Sequence, residues 1–171
     1  MSRDQIHTIV QSAIIAALYF LLTWAFAPIS FSGVQVRISE ALYAFCLFTP
    51  CGIWGMSAGC LLANLFFSPY GFLDILLGTL ATFVGAIGVY ALRKNKMVAF
   101  ACPVISNAFL VPVVLQVAAG LPYVANLLYV AVGEGIAVYL SLIHISDRTI
   151  ATLFFIPSKL LFFIYLTIKV K

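Results

Sequence analysis

Charge is what this 171-residue chain has least of: 8% of its residues are Asp, Glu, Lys or Arg, against roughly a quarter in soluble domains. Histidine is nearly absent, with two residues. There is no Walker A string, so the chain has no loop of its own to cradle ATP phosphates. HExxH and GxSxG strings and any serine–lysine arrangement at plausible depth are missing too, which leaves no visible nucleophile–base pair or zinc site. The four cysteines, Cys46, Cys51, Cys60 and Cys102, show no CxxC spacing and read as small apolar packing residues. No internal repeat or low-complexity linker divides the chain. What fills it instead is apolar: 64% hydrophobic residues and a mean hydropathy of +1.16. Such a composition builds membrane spans of roughly 20 residues each and little else. The net charge of +4 comes mainly from Arg93, Lys94, Lys96 and lysines near the C-terminus. That pattern fits the positive-inside rule better than a nucleic-acid surface.

The gaps between charges place the spans. Arg3, the apolar run from Ile9 to Trp24 and the Ala25–Ala27 string loosely imitate a cleavable signal, but Pro28 and the length of the run favour a retained first helix over about 5–27. Ser39 is read as the N-cap of a short second helix reaching about Thr49, stopped by Pro50. A third helix covers about 53–67, with Gly55, Gly59 and Ala63 at the four-residue spacing of a close-packing seam. Ser68 as cap and Pro69 at the first helical position open a fourth helix to Leu92, with Gly78, Ala81, Gly85 and Gly88 along one stripe. A fifth helix spans about 97–119 despite Pro103 and Pro112, because neighbours in a bundle satisfy the freed carbonyls. A sixth starts near Tyr123.

With the basic loop at 93–96 cytoplasmic and the N-terminus inside, the turns at 28–37, 68–71 and 120–123 face outward. Arg37 and Glu40 then start helix two at the outer side, Asn64 lies near the outer end of helix three, and Asp74 sits about one turn into helix four. Asn107 is near the middle of helix five, and Glu134 lies roughly 16 Å deep, close to the midplane. A charge at that depth costs about 2.5–3.5 kcal/mol on insertion scales, so Glu134 needs compensation. Either it lines the floor of an outward-facing cup as a solute ligand, or it is held by an ion pair with Arg37 or by staying protonated. Arg37 and Glu40 could equally serve as an interfacial i,i+3 pair, Asp74 as a helix-dipole acid and Asn107 as interhelical glue. Gln116, nine residues beyond Asn107, points the other way. Trp24, Phe67, Tyr70 and Tyr123 fall at span ends as an aromatic belt.

The segments VQVRISEAL, FTPCGIWGMSAGCLLANL, GFLDILLGTLATFVGA and ISNAFLVPVVL resemble the QueT family, the substrate-binding S component of energy-coupling-factor (ECF) transporters for queuosine precursors. The resemblance runs in order over about residues 5–139. It implies an all-α integral membrane protein, a bundle of six transmembrane helices with the termini inside the bacterial cell membrane. It also implies a site for a 7-deazaguanine base, no cofactor, and partners: a transmembrane coupling subunit and two cytosolic ATPases. Small residues on the first helix are the usual docking surface of such components, and Ala13 and Ala17 match them. The plain alternative is packing within the bundle. A guanine-like edge offers adjacent N–H donors to one carboxylate and a carbonyl to an amide or guanidinium. Glu134 and Asn107 are the residues read into those roles. Asp74 or Glu40 would complement a cationic aminomethyl substituent, with Arg37 and Asn64 completing the set.

The resemblance stops short of the C-terminus. Residues 1–139 form a single domain, whereas the string LSLIHIS at 140–146 resembles read-through of a transposon-end adapter. The apolar run that follows carries Pro157 and Lys159 in its middle, a poor seventh span. Residues 140–171 are therefore read as an atypical, non-native segment, the alternative being an amphipathic tail. Beside the leading function stand an S component or small permease for another vitamin-like solute, and a membrane-embedded enzyme, disfavoured for want of a nucleophile–base pair.

Overall fold

The computed structural model describes residues 3–32 and 36–144. Among them lie seven helical segments and no strand: α1 (Arg3–Ala25), α2 (Ala27–Ser30), a 3-10 helix here called η1 (Ile38–Leu47), α3 (Cys51–Phe67), α4 (Phe72–Ala91), α5 (Lys96–Ala119) and α6 (Tyr123–His144). Four of them, α1, α4, α5 and α6, are long and apolar enough to cross a bilayer. With 17 residues, α3 reaches about 26 Å, a little short of the roughly 30 Å hydrocarbon layer. The prediction of six helices thus differs from the structure in two places. A four-residue turn, α2, follows the first span, and the second helix is a short 3-10 segment.

Helices α1, α3, α4, α5 and α6 pack as successive neighbours in an arc. η1 touches α1, α3, α4 and α6 and bridges the two ends of the arc. Small residues permit this closeness. A Cβ on Gly59 would stand 2.6 Å from the Tyr19 Cβ of α1, and one on Gly85 would stand 2.9 Å from the Pro103 Cα of α5. Both predicted seams are therefore real, one at α1–α3 and one at α4–α5. Helix α5 continues through Pro103 and Pro112. Ser106 donates its hydroxyl to the carbonyls of Ala81 (2.9 Å) and Pro103 (3.1 Å), tying the proline-bearing helix to α4. Gly71 and Gly120, both at φ 68°, supply the left-handed turns before α4 and after α5.

Two caps are corrected. Ser39 does not cap η1, whose N-cap is Arg37; the Ser39 hydroxyl instead accepts from Thr23 of α1 at 2.8 Å. Nor does Ser68 open α4 with Pro69 behind it. Ser68 ends α3, α4 begins at Phe72 behind Gly71, and the Ser68 hydroxyl is committed to the Asp74 side chain. Ser39 is engaged by a tertiary partner, while the Ser68 hydroxyl donates to Asp74 and also accepts from the Tyr70 N–H at 3.2 Å, closing the turn before α4. Helix α6 runs on past residue 140 to His144. The remainder of the atypical C-terminal segment, 145–171, lies outside the described residues.

Candidate binding site

η1 sets the geometry of the interior. A 3-10 helix has three residues per turn, so side chains three apart eclipse one another. Arg37, Glu40, Tyr43 and Cys46 follow that spacing, and all four are buried. In an α-helix the same residues would drift around the axis by about 60° per step. Here they form one polar-to-apolar column through the middle of the arc.

At one end of the column the polar groups are matched, save for Arg37 Nε. The Arg37 guanidinium pairs with the Asp74 carboxylate at 3.4 and 3.5 Å and lies 5.4 Å from the centre of the Phe31 ring. Asp74 also accepts the Ser68 hydroxyl at 2.5 Å. Asn64 donates to the Asp74 carbonyl at 3.0 Å. Gly78 leaves room for this cluster, since a Cβ there would meet Asp74 Oδ1 at 2.6 Å and Asn64 Nδ2 at 2.8 Å.

One turn of η1 further on, Glu40 is held through a single oxygen. Its Oε1 accepts Tyr19 Oη of α1 at 2.5 Å and Thr82 Oγ1 of α4 at 3.5 Å. Oε2 has no partner. Across from it, Glu134 of α6 lies within electrostatic reach of both Glu40 and Arg37. Its Oε2 is also unpartnered. Asn107 of α5 lies beside Glu134 without hydrogen-bond geometry, and neither atom of its amide has a partner.

All six nominated side chains, Arg37, Glu40, Asn64, Asp74, Asn107 and Glu134, face the interior, none more than 2% exposed. They divide between the two groups just described. The sequence reading expects a cup open to the outside. In this structure they are enclosed, because η1 fills the centre of the arc and Arg37 pairs with Asp74 beside Phe31. Gln116 is exposed while Asn107 is buried, as nine residues of helix require. Ala13 and Ala17 lie on the exposed face of α1, opposite the buried Ile15, Ala16 and Tyr19.

Sequence reasoning missed Tyr19, Tyr43 and Thr82. Thr82 was accessible in principle, since Asp74, Gly78 and Thr82 follow at four-residue steps on one buried stripe. Among the described residues no group of three or more His, Cys, Asp or Glu side chains could hold a metal ion.

Chemically, the described interior presents two unmatched nitrogen donors, Arg37 Nε and Asn107 Nδ2, three unmatched acceptors, Glu40 Oε2, Asn107 Oδ1 and Glu134 Oε2, and the unmatched hydroxyls of Ser30 and Thr79. Each buried orphan costs about 1–3 kcal/mol. A planar polar molecule bringing complementary groups would recover that cost.

A multi-span helical membrane protein with such an interior has the features of a site for a small polar solute. Residues 9–146 match the family model of the QueT transporter. The chain belongs to the QueT transporter family. It is 32% identical over 99 residues to the queuosine precursor transporter QueT of Lactococcus lactis subsp. cremoris (strain MG1363), an alignment covering 56% of this chain and 57% of that protein. The chain thus matches little more than half the length of that relative. No solved structure matches it.

Proposed function

We propose that this chain is the solute-binding S component of an ECF transporter and takes up a queuosine precursor carrying a 7-deazaguanine base. The observation that carries the reading is the set of unmatched donors and acceptors on Glu40, Asn107 and Glu134 inside an apolar bundle. The Glu134 carboxylate accepts the adjacent ring and exocyclic N–H groups of the base, and the Asn107 amide donates to its carbonyl. Arg37, Asp74 and Asn64 shape one end of the site. Family membership and the name of the Lactococcus relative support the substrate class.

In this reading residues 1–139 form one six-helix unit in the bacterial cell membrane with the N-terminus inside. Energy comes from outside the chain, whose sequence carries no Walker A string. A transmembrane coupling subunit docks on the α1 face bearing Ala13 and Ala17, and two cytosolic ATPases drive it. Transport is then a shift of population between outward and inward states of the docked component. A substitution of Ala17 by Trp is expected to abolish uptake while leaving binding to the purified chain intact.

The test of the substrate class is a thermal-shift panel on the purified chain, since a ligand that binds only the folded state raises the unfolding temperature. 7-Deazaguanines are expected to stabilise it, and thiamin, riboflavin and biotin are not. Stabilisation by one of those vitamins instead would overturn the deazaguanine assignment and leave the S-component reading standing.

A further inference from the structure

Four charged side chains are buried among the described residues: Arg37, Glu40, Asp74 and Glu134. Three are acids and one is a base. Asp74 sits on the guanidinium of Arg37, closed further by Ser68. Glu40 and Glu134 are then left without a cation of their own in an apolar interior, where an uncompensated carboxylate is costly. The two differ in how they are held. Glu134 lies beside an amide that offers both a donor and an acceptor, the pattern for the edge of a base. Glu40 has no such neighbour. Tyr19 and Thr82 fix its Oε1 from two different helices and leave Oε2 as a lone, oriented acceptor.

Resting on the deazaguanine reading, we infer that Glu40 is a specificity residue: its free oxygen receives a cationic substituent of the ligand, so the site selects a base bearing a protonated amine over an uncharged one. Of the other two acids, Asp74 is already committed to Arg37 and Glu134 to the N–H edge of the base. Tyr19 is a positioning residue that aims the Glu40 carboxylate. A neutral ligand would leave Glu40 unmatched and bind with that handicap.

The probes are 7-aminomethyl-7-deazaguanine and its uncharged isostere, 7-hydroxymethyl-7-deazaguanine, titrated into the purified full chain by calorimetry. The wild type is expected to prefer the amine by about tenfold or more, the scale of a charge-assisted hydrogen bond. Glu40→Gln is expected to bring the two affinities to within about threefold, chiefly by weakening the amine. Glu134→Gln is expected to weaken both compounds alike. Equal wild-type affinities overturn the assignment without recourse to any variant, and leave the deazaguanine reading intact. A preference that survives Glu40→Gln overturns it as well. If neither compound binds the wild type, the deazaguanine reading fails and this inference falls with it.

Discussion

The polar groups around Arg37 and those around Glu134 share one interior and one degree of burial, yet the first set is matched except for Arg37 Nε and the second is largely open. Arg37, Asp74, Ser68 and Asn64 close on one another through an ion pair and hydrogen bonds of 2.5–3.5 Å. Glu40, Asn107 and Glu134 leave three acceptors and a donor open. A matched network in a low-dielectric interior stiffens the structure that contains it, whereas an unmatched one costs stability until something fills it. On the proposed function, the first cluster holds the bundle together and the second binds the solute.

Substitutions in the two clusters should accordingly have opposite signatures. Asp74→Ala strands a buried guanidinium, and a loss of about 3–5 kcal/mol of stability is expected, read as poor accumulation or a large drop in unfolding temperature. An Asp74→Ala protein that unfolds like the wild type would remove the structural role of that end. Glu134→Gln should barely move the unfolding temperature of the free protein but cost about 2–5 kcal/mol in affinity for a deazaguanine, measured by calorimetry. Asn64→Ala removes the side-chain donor that the Asp74 carbonyl accepts besides its helical N–H, and a destabilisation of about 1 kcal/mol in thermal unfolding is expected, with affinity following only as far as the fold loosens. Tyr19→Phe removes one of the two donors that aim Glu40. An effect of about 1 kcal/mol is expected, falling on the affinity for an amine-bearing ligand more than on that for its uncharged isostere.

Much of this was legible in the chain itself. Gaps between charges located the long helices to within a few residues, because the bilayer tolerates ionised side chains only at span ends or in matched interiors. Glycine spacing revealed the α1–α3 and α4–α5 seams for a similar reason: close backbone approach excludes a Cβ. The start of α4 was misplaced because Ser68 and Pro69 carry a local helix-start signal, while the Ser68 hydroxyl is drawn to Asp74 six residues on. The short second helix is legible in sequence but its 3-10 winding is not, because ten apolar-rich residues carry little mark of their own winding. The three-residue spacing of Arg37, Glu40 and Tyr43 was the available clue. Tyr19 was hidden among apolar residues of α1, and its partner Glu40 is 21 positions away. No local pattern encodes such a contact. The division of the six nominated residues into matched and unmatched groups likewise depends on which atoms meet, which depth and charge do not reveal.

The most direct measurement is thermal unfolding of the purified protein with Asn107 replaced by Leu, with and without 7-aminomethyl-7-deazaguanine. Removing an amide that has no partner in the bundle should leave the free protein at least as stable as the wild type. It should also abolish most of the ligand-induced rise in unfolding temperature. A variant that is clearly destabilised on its own, or that keeps the full ligand-induced rise, would show that the Asn107–Glu134 region is ordinary packing and not the place where the solute binds.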